Sequence, residues 1–347
     1  MDAKLQSIAS LQNDSEKVVR YTELLREISI DASDEKSLVE QFVAHLLSVP
    51  SLQVSKQVFQ HFSSSLESSM CKLDDSYKFT LFVKFAKYLL EQSSSSSTVV
   101  SDEGVDESSV ANSEMYLNRA KFLLSKCKDE ESMRDFKLCD AIISDLKGRF
   151  VEAGLGYLAL KDFRNAAICA TLSKDSYQKT RLIAKLLAPP SVAAVMKAKG
   201  EEDTTMATDD GDNDDEGLLN ILKSIQLGRI VDADAIKSKL TKPHHLNAFV
   251  AVNLEHNLLC VSKLYKSITL VELSNILKVN ERETERKGIE MISQGKFKGV
   301  FDQEVGLLEF LKNEEEEEVH ALRTLTDKIA QVCDLITKSK SKDGVRA

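Results

Sequence analysis

Asn253-Leu254-Glu255-His256-Asn257-Leu258-Leu259 opens a stretch, running on to Phe310, that reads helix, turn, helix, turn, helix and then two short strands. The first helix extends from Asn253 to about Lys266. Thr269 then stands at an N-cap with Glu272 three residues on, followed by Leu273, Ile276 and Leu277, a capping box ahead of an apolar stripe. The third helix, Glu281 to about Gln294, has Ile289 and Ile292 as its inward positions and stops at Gly295. Lys298-Gly299-Val300-Phe301-Asp302 and Leu307-Leu308-Glu309-Phe310 read as strands around a turn that ends in Gly306. Three helices and a hairpin make a winged helix, which serves either as a nucleic-acid reader or as a protein-docking module.

Charge separates those two uses. The chain has 46 basic and 55 acidic residues among 347, a formal net charge of −9. Nucleic-acid binding draws on clustered Lys and Arg that neutralise phosphates. The third helix instead sets Glu281, Glu283, Glu285 and Glu290 against Arg282, Arg286 and Lys287, which is a poor face for a phosphate backbone. Lys296 and Lys298 give the wing only a weak basic spot. Protein docking is the favoured reading, with nucleic-acid binding the competitor, and the wing strands offer a free sheet edge that another chain can extend.

Working outward, the rest of the chain has few helix breakers, 13 Gly and 4 Pro, and reads as mainly α. Residues 1–92 are expected to form amphipathic helices: Val18, Val19, Tyr21, Leu24, Leu25 and Ile28 keep helical spacing, as do Leu38, Phe42, Val43, Leu46 and Leu47, and then Phe79, Phe82, Val83, Ala86, Leu89 and Leu90. Residues 93–112, with the serine run Ser93–Ser97 and acidic neighbours, read as a flexible loop. Helical repeats resume over 113–190, with stripes that include Tyr116, Leu117, Ala120, Phe122, Leu123 and Leu124. Small residues at Ala120, Ala141, Ala153, Ala166 and Ala167 let helices approach closely, as in an α-solenoid.

Pro189-Pro190 ends that array, and 191–217 is an acidic insert expected to be disordered: nine acidic and no basic residues lie between Glu201 and Glu216. Removing those nine charges from −9 leaves the remainder near neutral. Residues 218–240 read as helical and Thr241–His245 as a turn. The docking domain is placed at 218–311, with its winged helix at 253–310. Over 312–340, Leu322, Leu325, Ile329, Val332 and Ile336 make a narrow seam close to a coiled-coil heptad, the expected bundle helix.

Chemistry-bearing motifs are sparse. There is no GxxxxGK[ST] phosphate loop, no HExxH and no GxSxG elbow. His244 and His245 are adjacent, so they leave a helix on different faces. Asp210-Gly-Asp212-Asn-Asp214-Asp215 has Asp where a calcium loop needs its Gly. The six cysteines are scattered, without a CxxC pair, and read as reduced, mostly buried thiols. Cys260 lies one helical turn from His256, but its apolar neighbours make it a structural thiol rather than a nucleophile. Glu255, His256 and Asn257 read as a local hydrogen-bond network that joins their helix to the preceding bundle, with partner contact as the alternative. No apolar leader and no run of 18 apolar residues is present, so no membrane is expected, and the location expected is the cytoplasm and nucleus.

The solenoid followed by a winged helix resembles the PCI-domain family, scaffold subunits of the COP9 signalosome, the proteasome lid and a translation initiation complex. The resemblance rests on Glu255-His256-Asn257-Leu258-Leu259, Ser262-Lys263-Leu264-Tyr265, Ile268-Thr269, Glu272-Leu273, Met291-Ile292, Gly295, Gly299, Asp302-Gln303 and Gly306. Upstream it rests on Tyr116-Leu117-Asn118-Arg119-Ala120, Lys137-Leu138-Cys139 and Arg149-Phe150-Val151-Glu152-Ala153. Glu-His-Asn is also similar to the lid branch, while Ser-Lys-Leu-Tyr and Asp-Gln lean to the signalosome branch. The chain departs from the family between Ala188 and Leu218.

The resemblance implies a non-catalytic scaffold without cofactor or metal. It sits in a complex that removes the ubiquitin-like protein NEDD8 from cullins of cullin-RING ubiquitin ligases, the metalloprotease centre being on another subunit. Implied partners are the other signalosome PCI and MPN subunits and the cullin-RING ligases. By the same resemblance Lys298, Val300, Asp302, Leu307 and Phe310 supply a winged-helix edge for assembly. Leu322, Leu325, Ile329, Val332 and Ile336 supply the bundle seam, and the N-terminal solenoid forms an arm toward the cullin-ligase substrate.

Overall fold

The structure is a computed structural model that describes residues 2–28, 35–49, 51–67, 73–95, 107–188, 212–237, 240 and 242–311. The chain divides into two compact units, Met1–Leu222 and Lys223–Ala347. That boundary falls five residues beyond the one read from the sequence, inside a helix.

The first unit is a run of helices: α1 Asp2–Ala9, α2 Asp14–Ile28, α3 Glu35–Ser48, α4 Leu52–Glu67, α5 Asp75–Ser95, α6 Glu107–Leu123, α7 Glu130–Leu146, α8 Phe150–Ala159, α9 Phe163–Leu172 and α10 Tyr177–Leu186. Helix α11, Asp212–Gln226, spans the boundary. Packing is between near neighbours in sequence: α2 on α4, α5 on α6 and α7, α7 on α8, and α10 on α8 and α9. This neighbour-on-neighbour order is the signature of a helical solenoid.

One aromatic contact after another threads this array. Tyr21 of α2 meets Phe42 of α3 edge-on at 6.1 Å between ring centroids, and Phe42 meets Phe62 of α4 at 6.0 Å. Phe62 lies 5.6 Å from Phe85 of α5, and Phe85 lies 5.9 Å from Tyr116 of α6. Phe59 stacks on Phe85 at 4.2 Å. Each such pair adds about 0.5–1.5 kcal/mol beyond the burial of its area. Helix α4, which supplies Phe59 and Phe62, carries Val54, Val58, Phe59, Phe62 and Leu66 at helical spacing, all buried, yet was not singled out in the sequence.

Small residues set the spacing further along. A Cβ at Gly156 of α8 would stand 2.9 Å from the Cβ of Ala141 on α7, and one at Gly154 would stand 2.6 Å from Leu182 of α10. Ala120, Ala141, Ala153, Ala166 and Ala167 are all buried, as expected.

Several expectations are corrected. Helix α5 continues through Ser95 and α6 begins at Glu107, so both ends of 93–112, expected as loop, are helical. Phe122, placed in the apolar stripe of α6, is 85% exposed. Helix α11 starts at Asp212, inside the segment expected to be disordered, and the helix expected over 218–240 breaks at Gly228, whose φ is +63°.

The second unit holds α12 Ala233–Lys237, α13 Pro243–Leu264, β1 Ser267–Thr269, α14 Leu270–Leu277, α15 Glu281–Ser293, β2 Lys298–Asp302 and β3 Leu307–Leu311. Helix α13 begins ten residues before Asn253, because Pro243 sits in its first turn, where a missing N–H costs nothing. The three strands form an antiparallel sheet in the order β1-β3-β2, with Ile268 opposite Leu308 and Phe301 opposite Leu308. Leu254, Leu258, Val261, Ile268, Leu273, Leu277, Met291, Phe297, Leu308 and Phe310 form its core. Among the described residues no helix is long and apolar enough to cross a membrane.

Candidate assembly surface on the winged helix

Local chemistry fixes the three helices. Thr269 caps α14: its Oγ1 accepts from the Glu272 amide at 3.2 Å and donates to the Glu272 carboxylate at 3.0 Å. This is the expected Thr/Glu pair, with the glutamate reaching back to the hydroxyl. Lys278 closes α14 in the left-handed region, φ +53°, and its ammonium bonds Asp232 at 2.9 Å. Asn280 caps α15 by accepting from the Glu283 amide at 2.8 Å. On α15 the inward residues are Thr284, Gly288 and Met291. Ile289, expected to point inward, is 45% exposed, because Gly288 takes the buried position and a Cβ there would meet the Phe301 ring at 2.8 Å.

Glu255, His256 and Asn257 lie in the middle of α13, not at its start, so they do not cap it. They hold other segments onto it. Asn257, buried, accepts from the Val231 amide at 2.9 Å and donates to the Val231 carbonyl at 2.8 Å. His256 Nε2 donates to the Arg229 carbonyl at 3.0 Å, which fixes its tautomer. The loop after α11 is therefore held to α13 by side chains where no helix or strand could satisfy its backbone.

Glu255 faces the other way. Lys287 of α15 lies 2.7 Å from its carboxylate, and Lys296, just before β2, bonds the other oxygen. Burial opposes ionisation of Glu255, but the two ammonium groups outweigh it and hold the carboxyl below its usual range. Lys287 is affected in the converse sense: burial disfavours its charge, and its hydrogen bonds to Glu255 and Glu290 prevail and raise it. Cys260 is buried with Sγ 3.4 Å from His256 Nε2, in line with a structural thiol. Of the other cysteines, Cys139 and Cys169 are buried and Cys127 is partly exposed, all as free thiols.

These pairings bear on nucleic acid. Lys287 and Lys296, two of the cations counted for the recognition helix and wing, are engaged by Glu255 and unavailable to phosphates. Arg282 and Arg286 line a shallow cleft of about 830 Å³ together with Glu281 and Glu283, so carboxylates share that surface.

The sheet divides the expected edge residues. Lys298, Val300 and Asp302 lie on β2, which among the described residues pairs on one side only. Leu307 and Phe310 lie on β3, the central strand, so they are not edge residues: β1, which the sequence reading missed, occupies the far side of β3. Phe310 is buried in the core. Alternation along the strands leaves an outer face where Lys298 stands opposite Leu311 and Val300 opposite Glu309. Val300 is 55% exposed, Leu311 49%, and Val305 in the wing turn 69%. The sequence reading stopped at Phe310 and so missed Leu311, although the period of two already placed it on the face opposite Phe310. The expected seam, Leu322, Leu325, Ile329, Val332 and Ile336, lies outside the described residues.

Comparison with known proteins agrees with this architecture. Residues 226–312 match the PCI domain model. COP9 signalosome complex subunit 4 of Arabidopsis thaliana is 27% identical over 283 residues, covering 78% of this chain and 65% of the relative. The Dictyostelium discoideum subunit 4 is 28% identical over 265 residues, covering 71% and 58%. That of Drosophila melanogaster is 25% identical over 231 residues, covering 60% and 52%. The chain thus spans under two thirds of the length of these three relatives. With helical array, winged helix and matches in agreement, residues 226–312 match the PCI domain and the chain is similar to COP9 signalosome complex subunit 4.

Proposed function

We propose that the chain is a non-catalytic scaffold subunit of a COP9 signalosome, acting in the cytoplasm and nucleus. In this reading it takes its place among the PCI and MPN subunits of a complex that removes NEDD8 from cullins. Its α1–α10 array serves as an arm toward cullin-RING ligases. The observation that carries the reading is the outer face and free edge of the wing, in a domain similar to subunit 4. Among the described residues strand β2 is unpaired on one side, and Val300, Val305 and Leu311 leave apolar area beside it, which suits strand addition by a neighbouring subunit. The seam at Leu322, Leu325, Ile329, Val332 and Ile336 is proposed as a second assembly element.

Native mass spectrometry of a gently purified complex tests this. Co-purification with PCI and MPN subunits and cullins is expected. Recovery of proteasome base and lid subunits instead would move the chain to the lid branch.

A further inference from the structure

In the helical unit, a cleft of about 550 Å³ opens between the start of α7 and the turn joining α8 to α9. Four cations line it: Lys128 just before α7, Arg134 and Lys137 one turn apart on α7, and Lys161 in the turn. All four are exposed, and none forms an ion pair among the described residues. Several other cations of the unit are paired. Lys87 pairs with Asp135 at 3.0 Å, Lys121 with Asp140 at 3.0 Å, Arg149 with Glu152 at 3.2 Å, and Lys126 and Lys147 each hold a carboxylate.

Two carboxylates beside these cations act as helix caps. Asp129 accepts from the Glu131 and Ser132 amides as the cap of α7. Asp162 accepts from the Asn165 amide at 3.2 Å as the cap of α9. Asp129 and Glu130 are the two carboxylates of the lining against four cations, so cations are in excess. Lys161 also adopts φ +65°, a region where glycine or asparagine is the usual occupant. Lys278, also a non-glycine residue with positive φ, uses its ammonium to hold Asp232. The ammonium of Lys161 has no such partner.

We infer that this cleft docks an acidic peptide segment of a protein partner. The lining selects that class. The cations are strung along two segments rather than gathered at one point, as an extended chain of carboxylates requires. Met133, Ala159 and Leu160 supply an apolar floor for a side chain between them. No aromatic ring lines the cleft, so it lacks the stacking platform that single-stranded nucleic acid uses. The volume lies within the roughly 300–1,000 Å³ of ordinary binding clefts.

Fluorescence anisotropy of a fluorescein-labelled, glutamate-rich peptide bearing a single leucine, titrated with the full chain, tests the inference. Saturable binding that weakens with added salt is expected. The double variant Arg134→Glu with Lys161→Glu should weaken it about tenfold or more. The same charge change at Arg282 and Arg286 of the winged helix should leave it unaltered. Lys128→Gln with Lys137→Gln provides a milder pair, and circular dichroism checks that each variant is folded. Absence of saturable binding overturns the inference. So does unchanged affinity in both cleft variants, or an equal loss in the winged-helix control. Tighter binding of a single-stranded RNA of equal charge, lost in the same cleft variants, would make the cleft a nucleic-acid site instead.

Discussion

Asn257 is the residue on which the second unit depends most directly. Its amide makes both an acceptor and a donor contact to Val231, out of water. Asn257→Ala leaves the Val231 amide and carbonyl unpaired, and each orphaned group costs about 1–3 kcal/mol. The variant should therefore lose about 2–6 kcal/mol, read as a lower urea midpoint for the second unit. Glu255 makes a different prediction. Its carboxyl is held below the ordinary value near 4.5, so its contribution is complete above that pH and is lost as pH falls through the lower, folded value. Acid titration of thermal stability should show a shallower decline below pH 4.5 in Glu255→Gln than in the native chain. At neutral pH the same variant should be about 1–3 kcal/mol less stable, because Lys287 and Lys296 lose a charged acceptor.

Among elements, α15 packs closely against the sheet at Gly288. Gly288→Ala would ordinarily stabilise a helix interior by about 1 kcal/mol. Here the added methyl would lie 2.8 Å from the Phe301 ring, which is itself held between α15 and the sheet. Overpacking of this kind costs about 1–3 kcal/mol, so net destabilisation is expected. Adding Phe301→Leu should recover part of the loss, and a double-mutant cycle in denaturant measures the coupling. Strand β2 carries the assembly prediction. Val300→Lys places a charge on the outer face of an edge strand, where it meets solvent in the isolated chain. Circular dichroism should be unchanged, while incorporation into a signalosome falls in pull-down; unaltered incorporation would remove β2 from the interface. The cap of α14 was legible because Thr269 acts on its own helix start. Strand β1 was not, because Ser267-Ile268-Thr269 has too few residues to show a period and is a strand only through β3.

At the scale of the whole chain, the two units predict separable losses. Phe85 contacts Phe59, Phe62 and Tyr116, and Phe85→Ala should cost about 3–5 kcal/mol. Hydrogen exchange should show lost protection in the helical array while α13–α15 and the sheet keep theirs, since the compact units divide at Leu222. Charge is the other global property. Replacing the nine acidic residues between Glu201 and Glu216 by their amides takes the formal charge from −9 to zero. Sedimentation velocity should then show more self-association near neutral pH, because net charge keeps chains apart.

The sequence by itself determined what is local and periodic: the mainly helical class, the small residues of the α7–α10 packing, the Thr269 cap, and the three helices and hairpin of the winged helix. Each of these is set within one or two turns of chain, where spacing alone decides which residues share a face. Only the tertiary structure decided what is non-local. It placed Glu255, His256 and Asn257 in mid-helix and gave them Lys287, Lys296, Arg229 and Val231 as partners. It made β3 the centre of the sheet, which moved Leu307 and Phe310 from edge to interior. It turned Ile289 and Phe122 outward. The physical reason is the same in each case: hydrogen bonds, ion pairs and strand order join residues distant in sequence, and no period within a single element encodes its partner.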